Sequence, residues 1–187
     1  MTAVRQQTVG EYLEALRSTA AVPGGGSAAA LGAAMGAALI SMVAKLSARK
    51  ATAEADRAAL NALHPELDQL ADRLLDLSQQ DIDAYRAVID ARKAGAAGAE
   101  LERAYERAAE VPLEVGTAAA RALVLAADAS TRAWAMTASD LAVGTELLQA
   151  GFHGALGNVA INLLELRGEA AARIERAYQR LRAATPT

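Results

Sequence analysis

The chain has 187 residues, a formal net charge of −3 and no cysteine. These values exclude a disulfide framework, a thiolate nucleophile and a cysteine-based zinc site. Acidic and basic residues are interspersed and only six residues are Trp, Phe or Tyr, so the sequence offers no basic or stacking surface for nucleic acid. His64 and His153 stand outside any metal-ligand spacing, and we expect no metal site. The length suits one domain, residues 1–187.

The first predicted helix follows a T-x-x-E capping box at Thr8 and Glu11 and spans about residues 8–19. A loop at 20–26 comes next. Ser27 is the predicted N-cap of a second helix over about 28–49.

The second helix is made largely of Ala and Gly, and Gly32 and Gly36 lie one turn apart on it. Two glycines on one face let a neighbouring helix approach closely. The uncharged run 18–44 is long enough to span a membrane, but alanine and glycine gain little from hydrocarbon and the run opens with a Pro-Gly loop. We expect a buried helix with no membrane contact. The first residues resemble no signal peptide, which favours a cytoplasmic protein.

From 52 to 92, apolar residues recur every three or four positions, which predicts one long amphipathic helix, or two separated at Pro65. The sequence KAGAAG at 93–98 is a clear break. A helix over about 100–127 contains Pro112, which should bend it.

A connection at 128–138 leads to Ser139, the predicted N-cap of a helix to about residue 167. Gly168 separates a last helix, 169–183. No alternating strand pattern is present. The prediction is an all-α, single-domain bundle of six to eight helices, with long helices kinked at prolines.

The loop PGGGS at 23–27 invites comparison with phosphate-binding loops. A P-loop requires a lysine directly after its last glycine, and a dinucleotide fingerprint requires a preceding strand, so neither applies. Backbone N–H groups of a glycine turn at a helix N-terminus still suit an anionic or electron-rich group. A simple flexible connection explains the glycines equally well.

Five stretches in this order resemble the cyclodeaminase/cyclohydrolase family, which includes the cyclodeaminase half of formiminotransferase-cyclodeaminase and bacterial methenyltetrahydrofolate cyclohydrolases. They are PGGGSAAALGAAMGAALISMVAKLS (23–47), DIDAYRAV (81–88), AAEVPLEV (108–115), SDLAVG (139–144) and GALGNVAIN (154–162). The resemblance implies an all-α homodimer that acts on tetrahydrofolate one-carbon derivatives and uses no other cofactor.

Two reactions fit the resemblance: hydrolysis of methenyltetrahydrofolate to formyltetrahydrofolate, or cyclisation of formiminotetrahydrofolate with loss of ammonia. The chain departs from the family pattern at Lys45, where Asn is common, at Ala142, where Gly is common, and at 135–138, where the loop usually carries Asn. These departures keep open a non-folate cyclic imine or amidine as substrate. A non-catalytic helical interaction module is the remaining alternative.

Both reactions need proton transfer and an anion near a cationic carbon, which points to carboxylates. Asp140 is the first catalytic candidate, because a Ser139 cap would place it in the first turn of a helix, where the dipole favours an ionised carboxylate. Asp81 is the second. Lys45 is the third, as an acid or as a cation for the substrate's glutamate tail.

The remaining candidates are residues expected to bind the folate substrate that the resemblance implies. They are Pro23, Gly24, Gly25, Gly26, Ser27, Lys50, Ser139 and Asn158. Asn162 lies one turn after Asn158, and for it we favour a hydrogen bond to a buried carbonyl of a neighbouring helix. We treat both histidines as surface or packing residues.

Overall fold

A computed structural model describes residues 2–184, which contain six α-helices, two short 3-10 turns and no strand. The turns are Val4–Gln6 and Ala135–Thr137. The helices are α1 (Val9–Leu16), α2 (Gly25–Lys50), α3 (Glu54–Lys93), α4 (Ala99–Ser130), α5 (Ala138–Leu163) and α6 (Gly168–Ala183). The all-α prediction and the number of helices are confirmed.

Helix α2 lies at the centre, antiparallel to both α3 and α5. On the α3 side, Ser27 meets Ser78 near the start of α2, and Lys45 meets Asp68 near its end. On the α5 side the order is also reversed, because Gly25 lies near Asn158 and Ser47 accepts a hydrogen bond from the Trp134 backbone. Helix α4 completes the core against α3 and α5.

By length and composition alone, α2 could cross a membrane, but 56% of its apolar window is buried inside the fold. Small side chains explain this burial, since Ala30, Ala33 and Ala37 are fully enclosed by the neighbouring helices. A helix of alanines and glycines accepts close neighbours on several sides.

Local signals predicted several boundaries correctly. Thr8 and Glu11 form the reciprocal capping box of α1, and the break between α3 and α4 contains Gly95 and Gly98, both with positive φ. The long amphipathic segment is a single helix, α3, which runs through Pro65.

Both serine N-caps were predicted wrongly. Helix α2 begins two residues before Ser27, because Gly25 and Gly26 already adopt helical geometry, and Gly24 is the N-cap. The Ser27 hydroxyl is then free to bond to Tyr12 and Ser78. Ser139 is the second residue of α5, because the 3-10 turn continues directly into this helix and leaves no extended residue there to cap it.

Of the two glycines of α2 predicted to admit a neighbouring helix, Gly36 makes this contact within the chain. A β-carbon at Gly36 would lie 2.7 Å from the Gly144 carbonyl oxygen and 2.9 Å from Leu148 Cγ, so Gly36 permits the close approach of α5. At Gly32 a β-carbon would meet nothing within 4 Å. Within one chain no helix approaches Gly32, because this position faces the side of α2 left open between its neighbours.

We therefore expect Gly36→Ala to destabilise the protein by about 1–3 kcal/mol, since backbone atoms of α5 must move away. Gly157→Ala, at an exposed position within α5 where a β-carbon would meet nothing within 4 Å, is the control, and it should stabilise the fold by up to about 1 kcal/mol through helix propensity. Chemical denaturation of the two variants measures the difference. Equal stabilities would contradict this account of the contact between α2 and α5.

Candidate active site

A pocket of about 280 Å³ opens beside the first turn of α2. The glycines of the loop, Gly24, Gly25 and Gly26, form one wall, Asp81 of α3 lies against them, and Asn158 of α5 closes another side. The sequence-predicted glycine loop, Asp81 and Asn158 are thus brought together. Pro23 is buried in the same loop and follows Val22 through a cis peptide bond.

Asp81 is a partly buried carboxylate, and no cationic partner for it occurs among residues 2–184. Within the described part of the chain it is the one charged residue of the pocket lining. Burial raises the pKa of Asp81 to about 6, and a backbone hydrogen bond from Ser27 partly opposes that rise. A carboxylate whose pKa lies near neutrality can both accept and return a proton.

Gly26 makes room for this carboxylate. A β-carbon at position 26 would lie 2.6 Å from Asp81 Cγ and 2.8 Å from Oδ2. The first backbone N–H groups of a helix have no partner within the helix. The Asp81 carboxylate of α3 lies at the N-terminus of α2, where the Ser27 N–H donates a hydrogen bond to it. The third glycine of PGGGS is required by this contact.

Asn158 and Asn162 contribute amides from α5. Asn158 lines the pocket, and its Nδ2 donates to the Gly154 carbonyl at 2.8 Å. Asn162 Nδ2 donates to the Ala108 carbonyl of α4 at 2.8 Å. The predicted role of Asn162, satisfying a buried carbonyl of a neighbouring helix, is confirmed, although this residue also lines the pocket.

The mouth of the pocket contains two exposed apolar side chains that the sequence interpretation missed. Tyr85, one turn after Asp81, is 41% exposed, and Ile161 of α5 is 67% exposed. Tyr85 stands in the same sequence motif as Asp81 and shares its helix face, so the spacing of four residues was the available signal.

Lys45 lies far from this pocket. Nineteen residues of α2 separate it from Gly26, which corresponds to about 28 Å along the helix. Lys45 Nζ contacts both carboxylate oxygens of Asp68, at 2.9 and 2.8 Å, and Ser41 donates to the same carboxylate. Burial raises the pKa of Asp68, but these hydrogen bonds outweigh it and hold the pKa below its ordinary value.

Asp140, Ser139 and Lys50 also belong to this far end. Asp140 lies in the first turn of α5, as predicted, and Ser139 beside it is exposed. Lys50 lies over the ring of Trp134 at 5.2 Å from the ring centre. Within one chain, the predicted site residues therefore form two groups at opposite ends of α2.

The two histidines lie outside the pocket. His153 is exposed beside Phe152, and His64 is half-buried near Asp68. No group of three potential metal ligands occurs among residues 2–184.

Residues 2–184 are all-helical, and their small pocket is lined by one charged side chain, a partly buried carboxylate, which is the kind of site that takes a small ligand. The sequence profile of formiminotransferase-cyclodeaminase matches residues 8–180. The chain belongs to this family, as the resemblance of its five motifs indicated.

Known proteins are similar over most of the chain. A methenyltetrahydrofolate cyclohydrolase of Methylorubrum extorquens is 30% identical over 164 residues, 83% of this chain and 79% of that protein. The formimidoyltransferase-cyclodeaminase of Gallus gallus is 30% identical over 173 residues, and the match spans 31% of its length. The crystal structure of formiminotetrahydrofolate cyclodeaminase from Thermotoga maritima superposes with a TM-score of 0.83 at 26% identity, and the match covers 97% of each chain.

Proposed function

We propose that this protein is a methenyltetrahydrofolate cyclohydrolase that needs no cofactor beyond its folate substrate. The observation that carries the proposal is the partly buried Asp81 carboxylate, which has no cation partner among residues 2–184 of its own chain. In methenyltetrahydrofolate one carbon bridges two nitrogens as a cationic amidinium. The substrate itself brings the positive charge that the pocket of one chain lacks.

The size of the pocket fits one part of this substrate. Ligand pockets usually enclose about 300–1,000 Å³, so a pocket of about 280 Å³ accommodates the fused rings and leaves the aryl and glutamate portions outside. Tyr85 and Ile161 at the mouth offer those portions an apolar surface.

The chemistry follows from the position of the carboxylate. Asp81 accepts a proton from the water that attacks the bridging carbon, and the bond from that carbon to one nitrogen then breaks with protonation of the nitrogen. Because the cationic substrate and water yield a neutral formyl group, one proton is released overall. The Ser27 N–H and the Asn158 amide orient the reacting groups.

A near-ultraviolet assay tests this function. Methenyltetrahydrofolate has its own absorption band, and we expect purified protein to remove the band faster than buffer does. Appearance of the band, with ammonia, from formiminotetrahydrofolate would instead establish cyclodeaminase activity, which the relatives of Gallus gallus and Thermotoga maritima carry in their names. Inactivity on both folates would favour a different cyclic imine or amidine.

The working unit is proposed to be a homodimer formed through the outer side of α2. Between Gly25 and Ala44 this helix has no charged residue, yet Met35 is 52% and Met42 37% exposed, and Val143 of α5 beside them is 53% exposed. An apolar face of this length on one chain favours a second copy, because a two-fold axis pairs the face with itself.

This dimer also explains the two separated groups of candidate residues. Ala38 lies at the middle of α2, and a two-fold axis crossing there at a right angle to the helix would place the far end of one chain beside the pocket of the other. In that arrangement Asp140, Lys45, Lys50 and Ser139 of one copy approach the glycine loop and Asp81 of its partner. Asp140 then supplies a second carboxylate to the reaction.

We expect Ala38→Glu to convert the dimer to monomers, because the substitution places two charges at the two-fold axis. Light scattering measures the change, and Ala58→Glu, exposed at the start of α3, is the control. Mixing Asp81→Asn with Asp140→Asn protein should restore activity if each site uses both chains. A monomeric wild-type protein would refute the dimer.

A further inference from the structure

Three buried hydroxyl groups form a chain directly behind the pocket. Tyr12 Oη lies 2.9 Å from Ser27 Oγ, and Ser27 Oγ lies 2.8 Å from Ser78 Oγ. Ser78 Oγ also lies 3.0 Å from the Ser27 carbonyl oxygen. Ser27 and Ser78 are fully buried and Tyr12 is 6% exposed. The three hydroxyl groups therefore link α1, α2 and α3 away from solvent.

The direction of these hydrogen bonds follows from one bond. A carbonyl oxygen only accepts, so Ser78 must donate its single hydroxyl proton to the Ser27 carbonyl. Ser78 Oγ then accepts from Ser27, and Ser27 Oγ accepts from Tyr12. Each of the three hydroxyl groups therefore donates one hydrogen bond, and Tyr12 is the first donor of the series.

The result is that one residue of α2 is held to α3 on both sides of its peptide backbone. The Ser27 carbonyl accepts from Ser78, and the Ser27 N–H donates to Asp81, one turn further along α3. The glycines before Ser27 have no side chains, and the N-cap Gly24 makes no side-chain cap. The three hydroxyl groups therefore hold the glycine-rich start of α2 in place.

We infer that Tyr12 and Ser78 are positioning residues for Asp81. Their hydroxyls fix the first turn of α2 so that the Ser27 N–H remains against the carboxylate. Because a hydrogen bond to the charged form favours that form, this arrangement also keeps Asp81 ionised and ready to accept a proton. The effect on rate rests on the proposed function of Asp81, whereas the effect on the titration of Asp81 does not.

Within one chain, the surroundings of Asp81 offer few other groups that titrate. In the proposed dimer Asp140, Lys45 and Lys50 of the other copy also approach it, and these residues are the same in the wild type, the variants and the control. Among the described pocket residues, α2 contributes glycine backbone, α4 contributes Ala108 and α5 contributes amides and Ile161. Tyr85 of α3 is the other titratable side chain of the lining. A change in the titration of Asp81 on altering Tyr12 or Ser78 would thus report the loss of the Ser27 contact.

The test uses Tyr12→Phe and Ser78→Ala, with Tyr178→Phe on α6 as the matched tyrosine control. Carbon-13 NMR of labelled aspartate follows the Asp81 carboxyl directly. We expect it to titrate about half a pH unit or more higher in both variants than in the wild type and the control. In the assay, the acid limb of kcat/KM should move upward with it, and the rates should converge at high pH.

Two results would overturn the inference: an unchanged Asp81 titration in folded variants, or a rate that falls equally at every pH. Tyr12→Phe retains the ring and its packing, so it keeps the test valid if Ser78→Ala fails to fold. If Asp81→Asn keeps full activity, the assigned role of Asp81 fails, and the NMR titration still decides whether Tyr12 and Ser78 position it.

Discussion

Asp81→Asn is expected to lower kcat by about 10²-fold or more, the loss typical of removing a general acid or base. The asparagine oxygen still accepts the Ser27 N–H hydrogen bond, so the first turn of α2 keeps its partner. What disappears is the negative charge beside the amidinium and the ability to accept a proton. Steady-state assays with methenyltetrahydrofolate measure the loss.

The same substitution should not cost stability at neutral pH. The pKa of Asp81 in the folded protein, about 6, lies above its ordinary value of 3.8, so the folded state binds this proton more tightly than the unfolded state. Stability contributed by the group is present below about pH 4 and is lost as the pH rises toward 6. Asn does not titrate. The free energy of unfolding of Asp81→Asn should therefore rise relative to that of the wild type by up to about 3 kcal/mol between these pH values.

Asp83→Asn provides the control for Asp81→Asn. Asp83 lies two residues further on the same helix, its side chain is 56% exposed, and it lies outside the pocket. We expect its kcat to match the wild type. An Asp81→Asn protein with wild-type kcat, or one that unfolds more readily at pH 8, would contradict the assignment of Asp81.

Gly26→Ala is expected to reduce kcat/KM by about 10²-fold, because the new methyl group occupies the space of the Asp81 carboxylate. Displacing a reacting group by about 1 Å is sufficient for a loss of this size. The backbone of α2 can retain its helix, since alanine favours helical geometry. Gly10→Ala in α1 is the control, since its nearest contact would be an ordinary 3.9 Å.

A double-mutant cycle separates this explanation from a general disturbance of the loop. If Gly26→Ala acts by displacing the carboxylate, it should add little to the loss already caused by Asp81→Asn. Losses that multiply would show that Gly26 acts independently of Asp81, for example through the shape of the pocket wall. The comparison requires kcat/KM for both single variants and the double variant.

The parts of the fold that the sequence predicted correctly depend on contacts within a few residues. The capping box of α1, the glycine break after α3 and the amphipathic spacing of α3 are all of this kind. The two serine N-cap predictions were wrong because serine has two uses near the start of a helix. A serine near a helix start can cap the helix, or it can lie in the first turn and bond to another helix, as Ser27 does.

Some members of the candidate site were predictable from the sequence, but their arrangement was not. Asp81 and the glycine loop belonged to recognisable motifs, but their contact joins positions 55 residues apart and depends on how α2 and α3 are rotated against each other. The Lys45 pairing with Asp68 depends on the same rotation. Tyr12 and Ser78 stand outside any reactive pattern in the sequence, and only the packing of three helices brings their hydroxyls together.

The lone charge of the pocket also bears on product release. In the proposed reaction, Asp81 is paired with the amidinium while that cation is present; once water has added and the ring has opened, the one-carbon group is neutral and the carboxyl has gained a proton. No opposite charge then holds the product against the carboxyl, so the electrostatic part of the affinity ends with the reaction that used it.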